Sequence, residues 1–212
     1  MISRHFVTRL SVYRRVLAAL GWEGKRGIFS HELAGRADVT AAQVRRDLMM
    51  VGATGSPRRG YEVGPLLERI RAFLDAPEGQ RMVLVGLGHV GQAVIAFFNG
   101  RRQGLRIVAA FDTDPDKVDR VFHGCRCYPL ARLVEIVAEV QADVGIVAVP
   151  AGEAQGAADG LMRAGIRSIV NFAPVRLKVG GYVYVENVDI TVVLERAAFF
   201  ARQQAFAQGE VR

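Results

Sequence analysis

The 212 residues are half hydrophobic, which is enough to bury the cores of one or two domains and too apolar for intrinsic disorder. The longest apolar runs, such as 144–149, fall far short of the ~20 residues a bilayer needs, and the first residues lack the apolar stretch of a secretory signal; a cytoplasmic protein is expected. The net charge of +7 is uneven: residues 1–61 hold 11 Lys and Arg against 4 Asp and Glu, and the remainder balances at 17 and 17, so a polyanion partner is expected for the first third.

Tyr13, Val16, Leu17 and Leu20 follow the i, i+3, i+4, i+7 spacing of an amphipathic helix that ends near Gly21. Ser30 is read as the N-cap of a short helix carrying Leu33, and Thr40 as the N-cap of the next, with Val44, Leu48 and Val51 on its apolar stripe. Gln43, Arg45 and Arg46 lie off that stripe. Two short helices around Arg36-Ala37-Asp38-Val39 make a helix-turn-helix pattern. Gly55, Pro57 and Gly60 then predict a turn tipped by Arg58 and Arg59, with a strand through Tyr61 and Val63. Helix-turn-helix followed by a basic hairpin is the plan of a winged helix, which sets one helix in the major groove of DNA. A further helix is expected from Pro65 over 66–74, and the polar stretch 75–79 separates a first domain, 1–76, from a second, 80–188.

From Arg81 strands and helices alternate. Strands are expected at 82–85, 105–111, 144–149, 168–171 and 182–185, and helices at 90–98, 130–140, 154–164 and 192–206. Apolar strands alternating with helices predict an α/β class, a Rossmann-type parallel sheet covered on both faces. Cys125 and Cys127 lack companions for a metal site and are read as buried thiols, so no metal is expected.

Gly86-Leu87-Gly88-His89-Val90-Gly91 follows a predicted strand and opens a predicted helix, the context in which G-x-G-x-x-G binds a dinucleotide. The first glycine allows the tight turn, the second lets backbone approach a pyrophosphate, and the third lets helix and strand pack closely. Asp112 ends the next strand, 21 residues after Gly91, and an acid there accepts from ribose hydroxyls and repels a 2′-phosphate. NAD(H) is therefore expected over NADP(H). The histidines are poor candidates for acid–base work: His89 falls in the fingerprint and His123 in a loop. There is also no room for a substrate domain. An enzyme is therefore not expected. An NAD-dependent dehydrogenase with a fused basic domain, a coenzyme A-binding Rossmann protein, and a degenerate nucleotide fold serving only dimerisation are the rival readings.

The order of motifs is similar to that of the Rex family of redox-sensing transcriptional repressors. It runs from Val39-Thr40-Ala41-Ala42-Gln43-Val44-Arg45-Arg46-Asp47-Leu48 and Gly60-Tyr61 through the fingerprint to Ala109-Ala110-Phe111-Asp112-Thr113-Asp114-Pro115. It continues with Ala148-Val149-Pro150-Ala151, Ala164-Gly165-Ile166, Asn171-Phe172-Ala173-Pro174 and Glu186-Asn187-Val188-Asp189. The resemblance implies a homodimeric repressor on a palindromic operator, released when NADH displaces NAD⁺. It further implies a C-terminal segment, 189–212, whose helix is domain-swapped between subunits. Cofactor contacts are implied for Gly86, Leu87, Gly88, His89, Val90, Gly91, Phe97, Asp112, Thr113, Asp114, Val149, Pro150 and Asn171. DNA contacts are implied for Thr40, Gln43, Arg45, Arg46, Arg58 and Arg59, and Arg15 with Asp189 matches a state-dependent link between domains. This chain departs from the family pattern at Met49-Met50-Val51-Gly52, where many members carry Ser-Tyr-Phe-Gly. Pro57 also shifts the wing arginine by one position, and Phe97 replaces a tyrosine found in some members.

Overall fold

A computed structural model describes residues 2–98 and 104–207, with side chains to 203 in the last helix. The chain divides into two compact units, Met1–Glu78 and Gly79–Arg212.

The first unit packs α1 (Arg4–Trp22), α2 (Ser30–Ala37), α3 (Ala41–Met50) and α4 (Val63–Leu74) around Leu10, Tyr13, Leu17, Leu33, Leu48 and Ile70. The predicted stripes of α1 and α3 are the buried ones. Thr40 caps α3 through its hydroxyl, which accepts from the Gln43 N–H at 3.1 Å, a device worth about 1 kcal/mol. Ser30 is not a cap: it is the first residue of α2, and the end is tied instead by Glu32, whose carboxylate accepts from the Phe29 N–H at 2.7 Å. The strand expected through Val63 is shorter. β1 (Gly27–Ile28) pairs antiparallel with β2 (Tyr61–Glu62), and α4 starts at Val63, two residues before Pro65. Proline needs no N–H in a first helical turn, so Pro65 sits inside the start rather than at it.

The second unit is a seven-stranded sheet in the order β5-β6-β4-β3-β7-β8-β9. The strands are β3 (Gln80–Val85), β4 (Leu105–Asp112), β5 (Val121–Phe122), β6 (Cys125–Pro129), β7 (Val144–Val147), β8 (Ser168–Asn171) and β9 (Tyr184–Asn187). All neighbours are parallel except the β5–β6 hairpin. Side chains alternate between faces. Val83, Val85, Ala109 and Phe111 meet α6 (Leu133–Val140) and α7 (Ala151–Arg163), whereas Met82, Leu84, Ile107 and Ala110 meet α5 (His89–Phe98). The short β5 and β6 are not expected from the sequence. Cys125 and Cys127 face the α5 side from β6, and burial raises their thiols to about 12 and about 11. The helix expected over 130–140 is divided, with a 3-10 turn at Leu130–Arg132 ahead of α6. The strand expected to Val149 stops at Val147, and α7 opens at Ala151, earlier than expected.

The last helix, α8 (Ile190–Ala207), is exposed along its described side chains; residues 208–212 of the expected C-terminal segment lie outside the described residues. Ile190, Val192, Val193, Leu194, Phe199 and Phe200 each show 47–63% of their surface. Among the described residues, no helix is long and apolar enough to cross a membrane, and no group of acids, histidines and cysteines could hold a metal.

Candidate functional site

In the second unit the chain leaves β3 for β4 on one side and later returns to β7 on the other. Ligands of open α/β sheets bind at such a reversal, outside the carboxyl ends of the strands. The Gly86–Gly91 turn after β3, Asp112 closing β4, Val149-Pro150 after β7 and Asn171 ending β8 all fall at that edge.

Each fingerprint glycine has its own reason. Gly86 has φ +98°, and a Cβ there would lie 2.5 Å from the Ala148 carbonyl oxygen. A Cβ on Gly91 would lie 2.0 Å from the Gly86 oxygen, so this glycine seals α5 against the turn. A Cβ on Gly88 would meet nothing within 4 Å; it is the one that faces open space. The residues therefore fit a pyrophosphate at Gly88, beside the first N–H groups of α5 and the positive end of its dipole.

Asp112 is held, not loose. Its carboxylate accepts from the Leu87 N–H at 2.7 Å and the Asp114 N–H at 2.9 Å, with the Lys117 ammonium at 3.5 Å. Burial would raise its pKa, but the Asp114 and Leu87 N–H groups and Lys117 outweigh that, leaving it below its ordinary value. The carboxylate is held against the glycine turn through the Leu87 N–H. Thr113 and Asp114 follow it on the rim, the first exposed and the second half-buried. Leu87 is buried, while His89 and Val90 are exposed at the start of α5. Phe97, near the far end of α5, is 58% exposed with its ring edge-on to Phe98. Val149 is half-buried and Pro150 caps α7. Asn171 is buried, and its amide is engaged by the protein: it donates to the Val175 carbonyl at 2.7 Å and Asn187 Oδ1 at 2.9 Å, and accepts from the Ala173 N–H. It shapes the loop after β8. Asp189 caps α8, accepting from the Val192 N–H at 3.1 Å.

In the first unit α3 presents its polar face outward, and its side chains are already oriented. Arg45 donates to the Ser30 hydroxyl at 3.1 Å, and Arg46 to the Gln43 amide oxygen at 3.0 Å. Gln43 in turn donates to Asp47 at 2.8 Å. Asp47, 1% exposed, also takes two bonds from Arg9, at 2.6 and 2.7 Å, and one from the Tyr13 hydroxyl at 2.9 Å. Burial would raise this carboxyl; the bonds from Arg9, Tyr13 and Gln43 hold it below its ordinary value. This network anchors α3 to α1. Sequence reasoning missed it, although an acid at position 47 sits on the stripe of Val44, Leu48 and Val51, where only a paired acid is tolerated. The wing closes by reciprocal bonds between Ser56 and Gly60, both 2.8 Å, leaving Arg58 and Arg59 exposed at its tip. Gly60, at φ +68°, is required because a Cβ would lie 2.4 Å from the Ile28 carbonyl oxygen. The displaced arginine and Pro57 are thus accommodated in a closed hairpin.

Comparison with known proteins places both units. Residues 1–48 match a family model described as "Putative DNA-binding protein N-terminus", and residues 78–175 match one described as "CoA binding domain". Redox-sensing transcriptional repressor Rex of Chloroflexus aurantiacus is 39% identical over 199 residues, covering 93% of this chain and 94% of the relative. The Rex repressor of Carboxydothermus hydrogenoformans is 39% identical over 197 residues, covering 93% and 95%. Among solved structures, RSP, a Rex-family repressor, superimposes with TM-score 0.87 at 28% identity, covering 99% of this chain and 98% of that one. RSP in complex with β-NAD⁺ and operator DNA gives TM-score 0.88 at 29% identity, covering 100% and 99%. RSP with β-NADH gives 0.86 at 28%, with the same coverage. A basic winged helix and a dinucleotide-shaped crevice in one chain, matched over nearly its whole length by these repressors, lead to one conclusion: the chain belongs to the Rex family of redox-sensing transcriptional repressors.

Proposed function

We propose that this chain represses transcription by holding an operator in proportion to the cellular NAD⁺/NADH ratio. The observation that carries the reading is the pairing of the two units in one chain, with Gly88 open to a pyrophosphate and Asp112 fixed beside it. The relatives are repressors, and RSP has been seen with NAD⁺ on operator DNA and with NADH. The chain is a regulator and not an enzyme; the nucleotide is a signal.

The proposed roles combine the geometry with the family pattern. Gly86, Leu87, Gly88, His89, Val90 and Gly91 cradle the pyrophosphate, and Asp112 with Thr113 and Asp114 receives the adenosine ribose. Val149 and Pro150 line the crevice after β7, Phe97, at the far end of α5, is assigned by the family pattern alone, and Asn171 shapes the wall with its amide bonded to Val175 and Asn187. On the operator, Thr40, Gln43, Arg45 and Arg46 meet the major groove, where Arg pairs bidentately with guanine and Gln with adenine. Arg58 and Arg59 grip backbone at the wing. A coenzyme A reading, raised by the description of the second family model, is disfavoured by Asp112, which would face that ligand's ribose phosphate.

The active form is a homodimer on a palindromic site. Support comes from α8: an apolar face of this size on a lone chain marks an interface. A second copy would take the exchanged α8, and an Asp189–Arg15 link made in one dimer state would bias the equilibrium. Half-sites would then lie about 34–36 Å apart or a multiple of it. The test is fluorescence anisotropy of a labelled palindromic operator with the protein alone, with NAD⁺ and with NADH. NADH is expected to release the operator and NAD⁺ to leave it bound; equal effects would remove the sensor role.

A further inference from the structure

The ribose corner of the crevice holds a cation as well as acids. Lys117 lies 3.2 Å from Asp114 and 3.5 Å from Asp112, and its side chain is 27% exposed. Only one other lysine, Lys178, lies beyond residue 80. Two carboxylates and one ammonium thus share the place where the 2′-position of a bound adenosine would arrive. Asp112 is fixed by backbone N–H groups and cannot turn away. Lys117 is a flexible stem with a point charge, and a point charge of this kind pairs well with phosphate. The same corner therefore contains the group that repels a 2′-phosphate and the group that would bind one.

We propose that Lys117 is a specificity-determining residue: paired with Asp114 at 3.2 Å and Asp112 at 3.5 Å it offsets part of the negative charge that excludes a 2′-phosphate, and with Asp112 removed, only Asp114 sharing it, it becomes that phosphate's ligand. The inference rests on the nucleotide reading above. With Lys117 in place, the site prefers NADH over NADPH by less than its two acids alone would give. Without Lys117 the preference widens. Without Asp112 it narrows or reverses, but only while Lys117 remains.

The test is titration of NADH and NADPH, followed by nicotinamide fluorescence, against wild type, Lys117→Ala, Lys117→Arg, Asp112→Ser and the Asp112→Ser/Lys117→Ala double variant. Lys117→Ala should raise the NADH-to-NADPH affinity ratio about fivefold, the size of a well-placed exposed ion pair. Lys117→Arg should keep the wild-type ratio. Asp112→Ser should lower the ratio about tenfold, since one close charge is removed. The double variant should lose most of that gain in NADPH binding. An unchanged ratio in Lys117→Ala, or a gain that survives in the double variant, would overturn the proposal while leaving the nucleotide site intact. Failure of wild type to bind NADH at all would overturn the nucleotide reading, and this inference with it.

Discussion

The winged-helix unit turns polar side chains outward over a buried ionic network; the sheet unit instead makes room at its strand ends by leaving side chains out. Asp47, bonded to Arg9 and Tyr13 of α1, holds Gln43 and through it Arg46, while Arg45 is held by the Ser30 hydroxyl. Gly86 and Gly91 have no room for a Cβ, whereas at Gly88 a Cβ would meet only open space. The lesson is that the two units should fail differently. A wrong residue in the glycine turn should damage a fit, whereas a wrong residue under α3 should damage a framework and, through it, the reading of DNA.

The largest effect is expected at the turn, and it should separate by position. Gly91→Val forces a Cβ onto the Gly86 oxygen and should destabilise the sheet unit by about 3 kcal/mol. Gly88→Val points into open space, so thermal unfolding should stay close to wild type while NADH binding is lost. If both variants melt alike, the account of the three glycines is wrong.

Next comes the framework. Asp47→Ala leaves Arg9 and Tyr13 without their buried acceptor and should cost about 3 kcal/mol in urea unfolding, with operator affinity falling too. The pH dependence has a definite sign. The Asp47 carboxyl lies below its ordinary value of 3.8 in the folded chain, so its contribution is complete above that pH and is lost as pH falls through the lower folded value. Melting curves of wild type and Asp47→Asn should therefore converge in acid and separate above pH 4 to 5, the range about one unit above an ordinary Asp.

Smaller effects belong to the outward arginines. Arg45→Ala and Arg46→Ala should each cost about 1–3 kcal/mol at the operator and relax its sequence preference, if they pair with bases. Arg58→Ala and Arg59→Ala should weaken specific and non-specific DNA alike and lower the salt slope by about one each. A change in sequence preference from the wing variants would break this division of labour.

Much of this was legible in the sequence because the two units rest on periodic signals. The stripe Tyr13, Leu17, Leu20 reads as one helix face, and the glycine spacing between a strand and a helix reads as the tight turn of a Rossmann-type sheet. Other features were not legible because they depend on distant partners. β5 and β6 are held by pairing with each other and with β4, so Cys-x-Cys read as isolated thiols although its period of two was that of a strand. Ser30 has cap chemistry, yet Glu32 ties the end of α2 by reaching back to Phe29. Asn171 stood among the implied ligand contacts, and only the structure places its amide on Val175 and Asn187. Asp47 was visible as an acid on an apolar stripe, but its partners lie on α1, more than thirty residues away.

The central claim is that one crevice reads the ratio of two nucleotides and passes it to the operator. The direct measurement is operator-bound fraction against NADH, repeated at increasing fixed NAD⁺. Competition for a single site predicts that the NADH midpoint moves upward in proportion to NAD⁺ while the end point, released operator, stays the same. A midpoint indifferent to NAD⁺, or release by NAD⁺ itself, would contradict it.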